Sequence, residues 1–137
     1  MKTANCTLQV TANSKSAYFD IYIERTSDEI FNMGNSSFLV NVSKTVFKNG
    51  KFTFAKVKYC TGGYDVMEYV HYPFGAFGIQ IRCNTLGKPI SKNKEKIATV
   101  VYEYTGNPSS VTWRLIDSAV VTPAFETVDT TFLLNFK

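Results

Sequence analysis

The sequence predicts an all-β fold, a two-sheet jelly-roll sandwich of about nine strands. Three observations predict it. Apolar residues recur with a period of two along most of the 137 residues, the spacing that lines one face of a strand. Turn-forming residues punctuate these runs at short intervals. No helical period persists for three turns.

The elements follow in order. In "NCTLQVTA", Cys6, Leu8, Val10 and Ala12 share one side. In "AYFDIYIER", Phe19, Ile21 and Ile23 point one way, and Asp20, Tyr22 and Glu24 the other. In "SFLVNVS", Phe38, Val40 and Val42 alternate with Leu39 and Asn41. "KFTFAKVKY" changes phase near Ala55, as a β-bulge would make it do. The stretch Tyr64 to His71 forms a strand, Pro73 to Gly75 a turn, and Ala76 to Cys83 the returning strand. "KIATVVYEY" is apolar on both sides, which suits a central strand. "SVTWRLI" turns Val111, Trp113 and Leu115 inward, and "TTFLLNF" closes the chain with Phe132, Leu134 and Phe136 in register. Asn49-Gly50 between apolar residues favours a tight hairpin turn. No repeat or linker interrupts the series, so residues 1–137 read as one domain.

Composition narrows the function. An apolar fraction of 45% is that of a folded chain. No apolar run approaches the roughly eighteen residues of a membrane-spanning helix, and Met1 to Ser16 lacks the apolar centre of a signal peptide. The net charge of +4 owes much to "GKPISKNKEK" (Gly87 to Lys96), where four lysines meet one glutamate. Without arginines or interleaved aromatics, this is a solvated loop and not a nucleic-acid site.

The chemistry-bearing residues are few. There is one histidine, His71, and no G-x-S-x-G elbow for nucleophilic catalysis. Asp20 and Glu24 share a strand face, but four residues of strand separate them by roughly 13 Å, too far for paired-carboxylate chemistry on a sugar. The three cysteines, Cys6, Cys60 and Cys83, lack the spacing of a zinc site. Cys60 and Cys83 are the candidate disulfide, although a hairpin turning at Tyr72–Gly75 sets Cys83 opposite about Tyr64. No motif calls for a cofactor or a metal. Tyr22, Tyr64, Tyr69 and Tyr72 are the candidate ligand-binding residues, because aromatic rings on a sheet face can stack on sugars. By strict alternation Tyr64 and Tyr72 share one side of their strand and Tyr69 takes the other. The competing account is that these rings fill the core or cover strand edges.

Two blocks carry a family resemblance. "FDIYIERTSDEIFNMGNSSFLVNV" (Phe19 to Val42) reads as a strand with a basic-Thr end, a short apolar step, Gly-Asn-Ser-Ser and a second strand. "KIATVVYEYTGNPSSVTWRLIDSAVV" (Lys96 to Val121) reads as a strand, a Pro-Ser turn and a strand carrying Trp. The pattern resembles that of cohesin-like β-sandwich domains in large secreted surface proteins of Bacteroidetes-type bacteria. The resemblance implies a nine-stranded jelly roll that is secreted or displayed at the cell surface as one module of something longer. It implies no enzyme, and a protein partner: a dockerin-like module or a component of a surface assembly. It transfers no contact residue, because no contact motif is visible. A carbohydrate-binding module that takes polysaccharide is the alternative, and a jelly-roll subunit of a surface layer, filament or capsid is a further one. Neither a nucleic acid nor a membrane is an expected partner.

Overall fold

Alternating side chains become sheets only when strands find neighbours, and the computed structural model shows which neighbours each has. It describes residues 1–12, 16–42, 54–60, 64–72, 76–83, 88–103, 111–113, 115 and 118–136. Every named element among them is a strand: β1 (Thr3–Ala12), β2 (Ser16–Arg25), β3 (Asn32–Met33), β4 (Ser36–Val42), β5 (Phe54–Cys60), β6 (Tyr64–Tyr72), β7 (Ala76–Cys83), β8 (Lys88–Pro89), β9 (Glu95–Glu103), β10 (Val111–Trp113) and β11 (Asp129–Phe136). For β5, β6 and β7 only the backbone is described.

Nine of these strands make the sandwich. One sheet has five, in the order β11-β1-β2-β9-β5, and the other has four, in the order β10-β4-β7-β6. The pair β3-β8 stands apart as a small third sheet. All pairings are antiparallel except β1 with β11, which is parallel. Strands β10 and β11 meet along one side of the sandwich, and β5 and β6 along the other.

The core is the inner face of this arrangement. Cys6, Leu8 and Val10 of β1 stand across from Ile23, Ile21 and Phe19 of β2, and all six are buried. Phe38 and Val40 supply the facing sheet. As expected of a central strand, β9 is buried on both faces, from Ile97 to Val101. Trp113 joins the two sheets at the β10–β11 side. Its ring lies 6.2 Å from that of Phe38 and 5.0 Å from that of Phe132, and its Nε1–H donates to the Leu133 carbonyl at 2.8 Å. Half-buried and packed on the core, Trp113 fills the role its apolar flanks suggested.

Several expectations need correction. Leu115, read as inward, is 62% exposed. Pairing with β4 passes from Trp113↔Val40 to Ala119↔Ser37, so the later segment has more residues than β4 has positions to receive them. Leu115 lies in that excess. The lysine-rich segment is not only a solvated loop. Lys88 and Pro89 pair with Met33 and Asn32, and Ile90 is buried, its N–H donating to the Phe31 carbonyl at 3.2 Å. Arg25 fastens this segment: its Nε donates to the Ile90 carbonyl at 3.0 Å and its Nη1 to the Ser27 carbonyl.

The phase of β6 also differs from simple alternation. Its register against β7 slips between Val66 and Glu68. Tyr64 pairs with Cys83 and Tyr69 with Ile79, while Tyr72 pairs with Ala76. The β7–β4 register links Ile79 to buried Phe38 and Ala76 to Asn41. Tyr64 and Tyr69 therefore belong to the register file of Phe38, and Tyr72 to the other. In β5 the shift falls between Val57 and Tyr59, a little beyond Ala55.

A hairpin tip closes one end. The Val121↔Thr127 bridge flanks it, Phe125 N–H donates to the Thr122 carbonyl at 2.9 Å, and Thr122 N–H donates to the Glu126 carbonyl at 2.9 Å. Phe125 sits there at φ 64°, in the left-handed region that a type I turn with a following bulge requires. Gly34 lies against this hairpin so closely that a Cβ would meet the Thr122 carbonyl carbon at 2.6 Å, which only glycine permits.

Candidate functional site

A β-sandwich offers two open sheet faces, and their residues differ in kind. The outer face of the five-stranded sheet is charged and cross-linked. Thr99 Oγ1 donates to Asp20 Oδ1 at 2.5 Å, and Lys96 Nζ lies 3.8 Å from the same oxygen. Lys94 Nζ sits 5.3 Å above the centroid of the Tyr22 ring, close enough for cation–π attraction. Tyr22 is half-buried, so its ring is partly committed to this surface.

The four-stranded sheet is organised differently. Because Phe38 and Val40 belong to the core cluster, the alternate residues of β4, namely Ser37, Leu39 and Asn41, form the outward file, in which Leu39 is itself buried while Ser37 and Asn41 are half-buried. Register extends that file across the sheet. One row runs Thr112, Asn41, Ala76 and Tyr72; the next holds Leu39, Gly78 and Val70; a third holds Ser37, Gln80 and Glu68. The first two rows carry no charge. Thr112 is exposed and Asn41 is half-buried.

The tyrosines singled out in the sequence are thus divided. Tyr22 lies in one sheet, and Tyr64, Tyr69 and Tyr72 lie on the edge strand β6 of the other. Within β6, register gives only Tyr72 to the outward file. The side chains of these three fall outside the described residues. The same holds for Cys60 and Cys83. Their backbones end β5 and β7, where Cys60 pairs with Ala98 and Cys83 with Tyr64. His71 pairs with Phe77, which lies about 20 Å of strand from Cys83, and Cys60 belongs to the other sheet. The backbone therefore does not bring His71 beside either cysteine as a nucleophile–base pair would require. Cys6 is fully buried in the core, and burial pushes its thiol well above the usual range, which makes it a packing residue and not a nucleophile.

Ionic contacts gather at the sandwich end near the Phe125 hairpin. Lys2 Nζ lies 3.0 Å from Glu29 and 3.2 Å from Glu126, and these carboxylates raise its pKa, Glu29 first. Among the described residues no group of three or more His, Cys, Asp and Glu side chains is placed to hold a metal ion.

This arrangement has close counterparts among solved structures. The type I cohesin–dockerin complex of Clostridium thermocellum includes a chain that matches at TM-score 0.62 and 10% identity, covering 98% of this chain and 99% of that one. A type II cohesin–X–dockerin complex from Acetivibrio cellulolyticus matches at TM-score 0.64 and 11% identity, over 97% and 95% of the two chains. The second type II cohesin module of an adaptor scaffoldin from the same organism matches at 0.62 and 9%, over 99% and 94%. The fold is that of cohesin modules. No protein-family model matches the sequence, and no curated protein matches it either. In this cohesin fold, sequence reasoning found the strands but did not show the uncharged rows. They are built from residues of four strands that are scattered along the chain, and alternation within one strand does not reveal them.

Proposed function

We propose that this chain is a non-catalytic protein-interaction module of a secreted or cell-surface assembly, and that it binds a dockerin-like partner. The outer face of the β10-β4-β7-β6 sheet is the surface we assign to it. The observation that carries this is the uncharged row Thr112–Asn41–Ala76–Tyr72, which crosses the sheet with Thr112 exposed and Asn41 half-buried, beside a second uncharged row, Leu39–Gly78–Val70, whose Leu39 is buried. Cores of protein interfaces are depleted in charged residues, because a charge buried there must be stripped of water. The opposite face, with Asp20, Lys96 and Lys94, would incur that cost. Shared fold supports the choice of partner class, since two of the similar structures are complexes with dockerins.

The test is calorimetric titration against a panel of dockerin modules, repeated with Asn41→Arg and Thr112→Arg. Each arginine would place an unpaired charge in the row, and a loss of about tenfold or more in affinity is expected, equivalent to about 1.4 kcal/mol. Lys94→Ala on the other sheet should leave binding unchanged. Undiminished binding by both arginine variants would remove this face from consideration. A carbohydrate-binding module would instead give glycan-array hits that Tyr22→Ala and Tyr72→Ala abolish. The division of the four tyrosines between two sheets disfavours that outcome.

A further inference from the structure

Each sheet of the sandwich ends in two edge strands, and edges invite pairing with another chain unless they are protected. Three of the four are protected. Strand β10 has only three residues. Strand β5 carries Lys56 and Lys58 and a register shift between Val57 and Tyr59. Strand β6 carries Asp65 and Glu68 and a shift between Val66 and Glu68. Strand β11 has a charge only at its first residue, Asp129. It is eight residues long, pairs with β1 without a break, and has no charge, proline or glycine from Thr130 to Phe136. Its leucines are exposed on both faces, Leu133 by 41% and Leu134 by 44%.

The ladder phase shows which backbone groups are open. Asp129 N–H donates to the Lys2 carbonyl at 3.1 Å. In a parallel pair successive residues turn their N–H and C=O groups alternately toward and away from the partner. Asp129, Thr131, Leu133 and Asn135 therefore face β1, and Thr130, Phe132, Leu134 and Phe136 face outward. Among the described strands none pairs with β11 on that side; β10 of the other sheet comes near it through Trp113, whose Nε1–H donates to the Leu133 carbonyl. A crevice of about 210 Å³, lined by Ser118, Val128, Thr130 and Phe132 among others, leaves room beside the start of the strand.

We infer that β11 is a homodimerisation edge, taking β11 of a second copy of this chain in antiparallel pairing. The sequence of the strand suits itself. A twofold axis through Leu133 sets Leu133 against Leu133, Phe132 against Leu134, Thr131 against Asn135 and Thr130 against Phe136. Outward-facing residues then meet outward-facing residues, so the open N–H and C=O groups are satisfied in pairs. Each inner-file pair is apolar or hydroxyl-bearing, and no like charges oppose each other, as they would if two copies of β5 or β6 were paired in the same way. The two five-stranded sheets become one continuous sheet. This edge is separate from the face assigned to the protein partner, so either proposal can fail alone.

Sedimentation velocity from about 1 μM to about 1 mM tests it, together with amide hydrogen exchange. The expected result is a doubling of mass with concentration, with protection of Thr130, Phe132 and Leu134 amides rising in step. Leu134→Pro removes an outward N–H and should shift dimerisation by about tenfold or more. Leu133→Lys, at an exposed site, sets like charges together at the axis and keeps the test decisive if the proline variant does not fold. A chain that stays monomeric with unprotected edge amides overturns the proposal. So does a dimer that survives Leu133→Lys unchanged. A monomer whose edge amides become protected only when a peptide copying residues 129–136 is added also overturns it, and assigns the edge to extended peptide instead.

Discussion

Leu8 and Leu134 are direct register partners on adjacent strands, and both lie on the inward file of the five-stranded sheet. Leu8 is 0% exposed and Leu134 is 44% exposed. Both strands keep apolar residues on that file, although Leu133 adds one to the outer face of β11. What differs is position: β1 has β11 on one side and β2 on the other, whereas β11 has β1 alone. Burial in this sandwich is set by how many neighbours a strand has, and periodicity within the strand decides only which face turns inward. The contrast separates residues that hold the module together from residues free to meet another chain.

Truncating the two leucines breaks the comparison most strongly. Leu8→Ala should destabilise the fold by about 3 kcal/mol, the lost transfer energy plus a cavity in packed surroundings. Leu134→Ala should cost about 1 kcal/mol, since nearly half of that side chain is in water already. Urea denaturation of both variants measures the two losses. Equal costs would mean that the edge is covered in solution, which would itself point to the β11 dimer.

The next effect lies between interior and edge. Ser118 is buried, and its Oγ both accepts from Leu39 N–H at 2.9 Å and donates to the Leu39 carbonyl at 3.3 Å. Leu39 sits between the Trp113↔Val40 and Ala119↔Ser37 pairings, where β4 lacks a strand partner on its β10 side among the described residues. A side-chain hydroxyl thus stands in for a strand. Ser118→Ala leaves both Leu39 groups buried and unpaired, and should cost about 2 kcal/mol in thermal or urea unfolding. A neutral result would show that water or a shifted backbone takes the place of the hydroxyl.

These cases mark what the sequence made legible. The nine sandwich strands follow from apolar patterning and turn residues together, and the inward sets of β1 and β2 from alternation, because a strand with neighbours on both sides buries its apolar file completely. Leu115 was misplaced because alternation cannot show that a segment has more residues than its partner strand. The β6 slip between Val66 and Glu68 was hidden for a related reason: one added residue changes every later side, and neither glycine nor proline marks it. Ile90 was masked by its lysine neighbours, although a lone apolar residue after Pro89 was the available clue. The candidate face was only partly legible. Tyr72 was named, but the row it completes depends on register between strands distant in sequence.

The smallest effect completes the series, at a site with no burial. Asp28 is paired with Lys92 at 2.6 Å, and its side chain is 100% exposed. The hydrogen bond from Lys92, followed by the charge of the same ammonium, lowers the Asp28 pKa. A carboxyl whose folded pKa lies below its unfolded value stabilises the fold above the unfolded value, near 4. That contribution fades as pH falls through the folded pKa. Water screens so exposed a pair, so its effect should fall well below that of Ser118→Ala. The measurement is the melting temperature of the parent chain and of Lys92→Ala from pH 7 to pH 2.5. The two curves should be slightly apart at neutral pH, converge on acidification, and lie closer together in high salt. Curves that separate further as the pH falls would contradict the sign, and would mean that Lys92 acts through something other than the ionised Asp28.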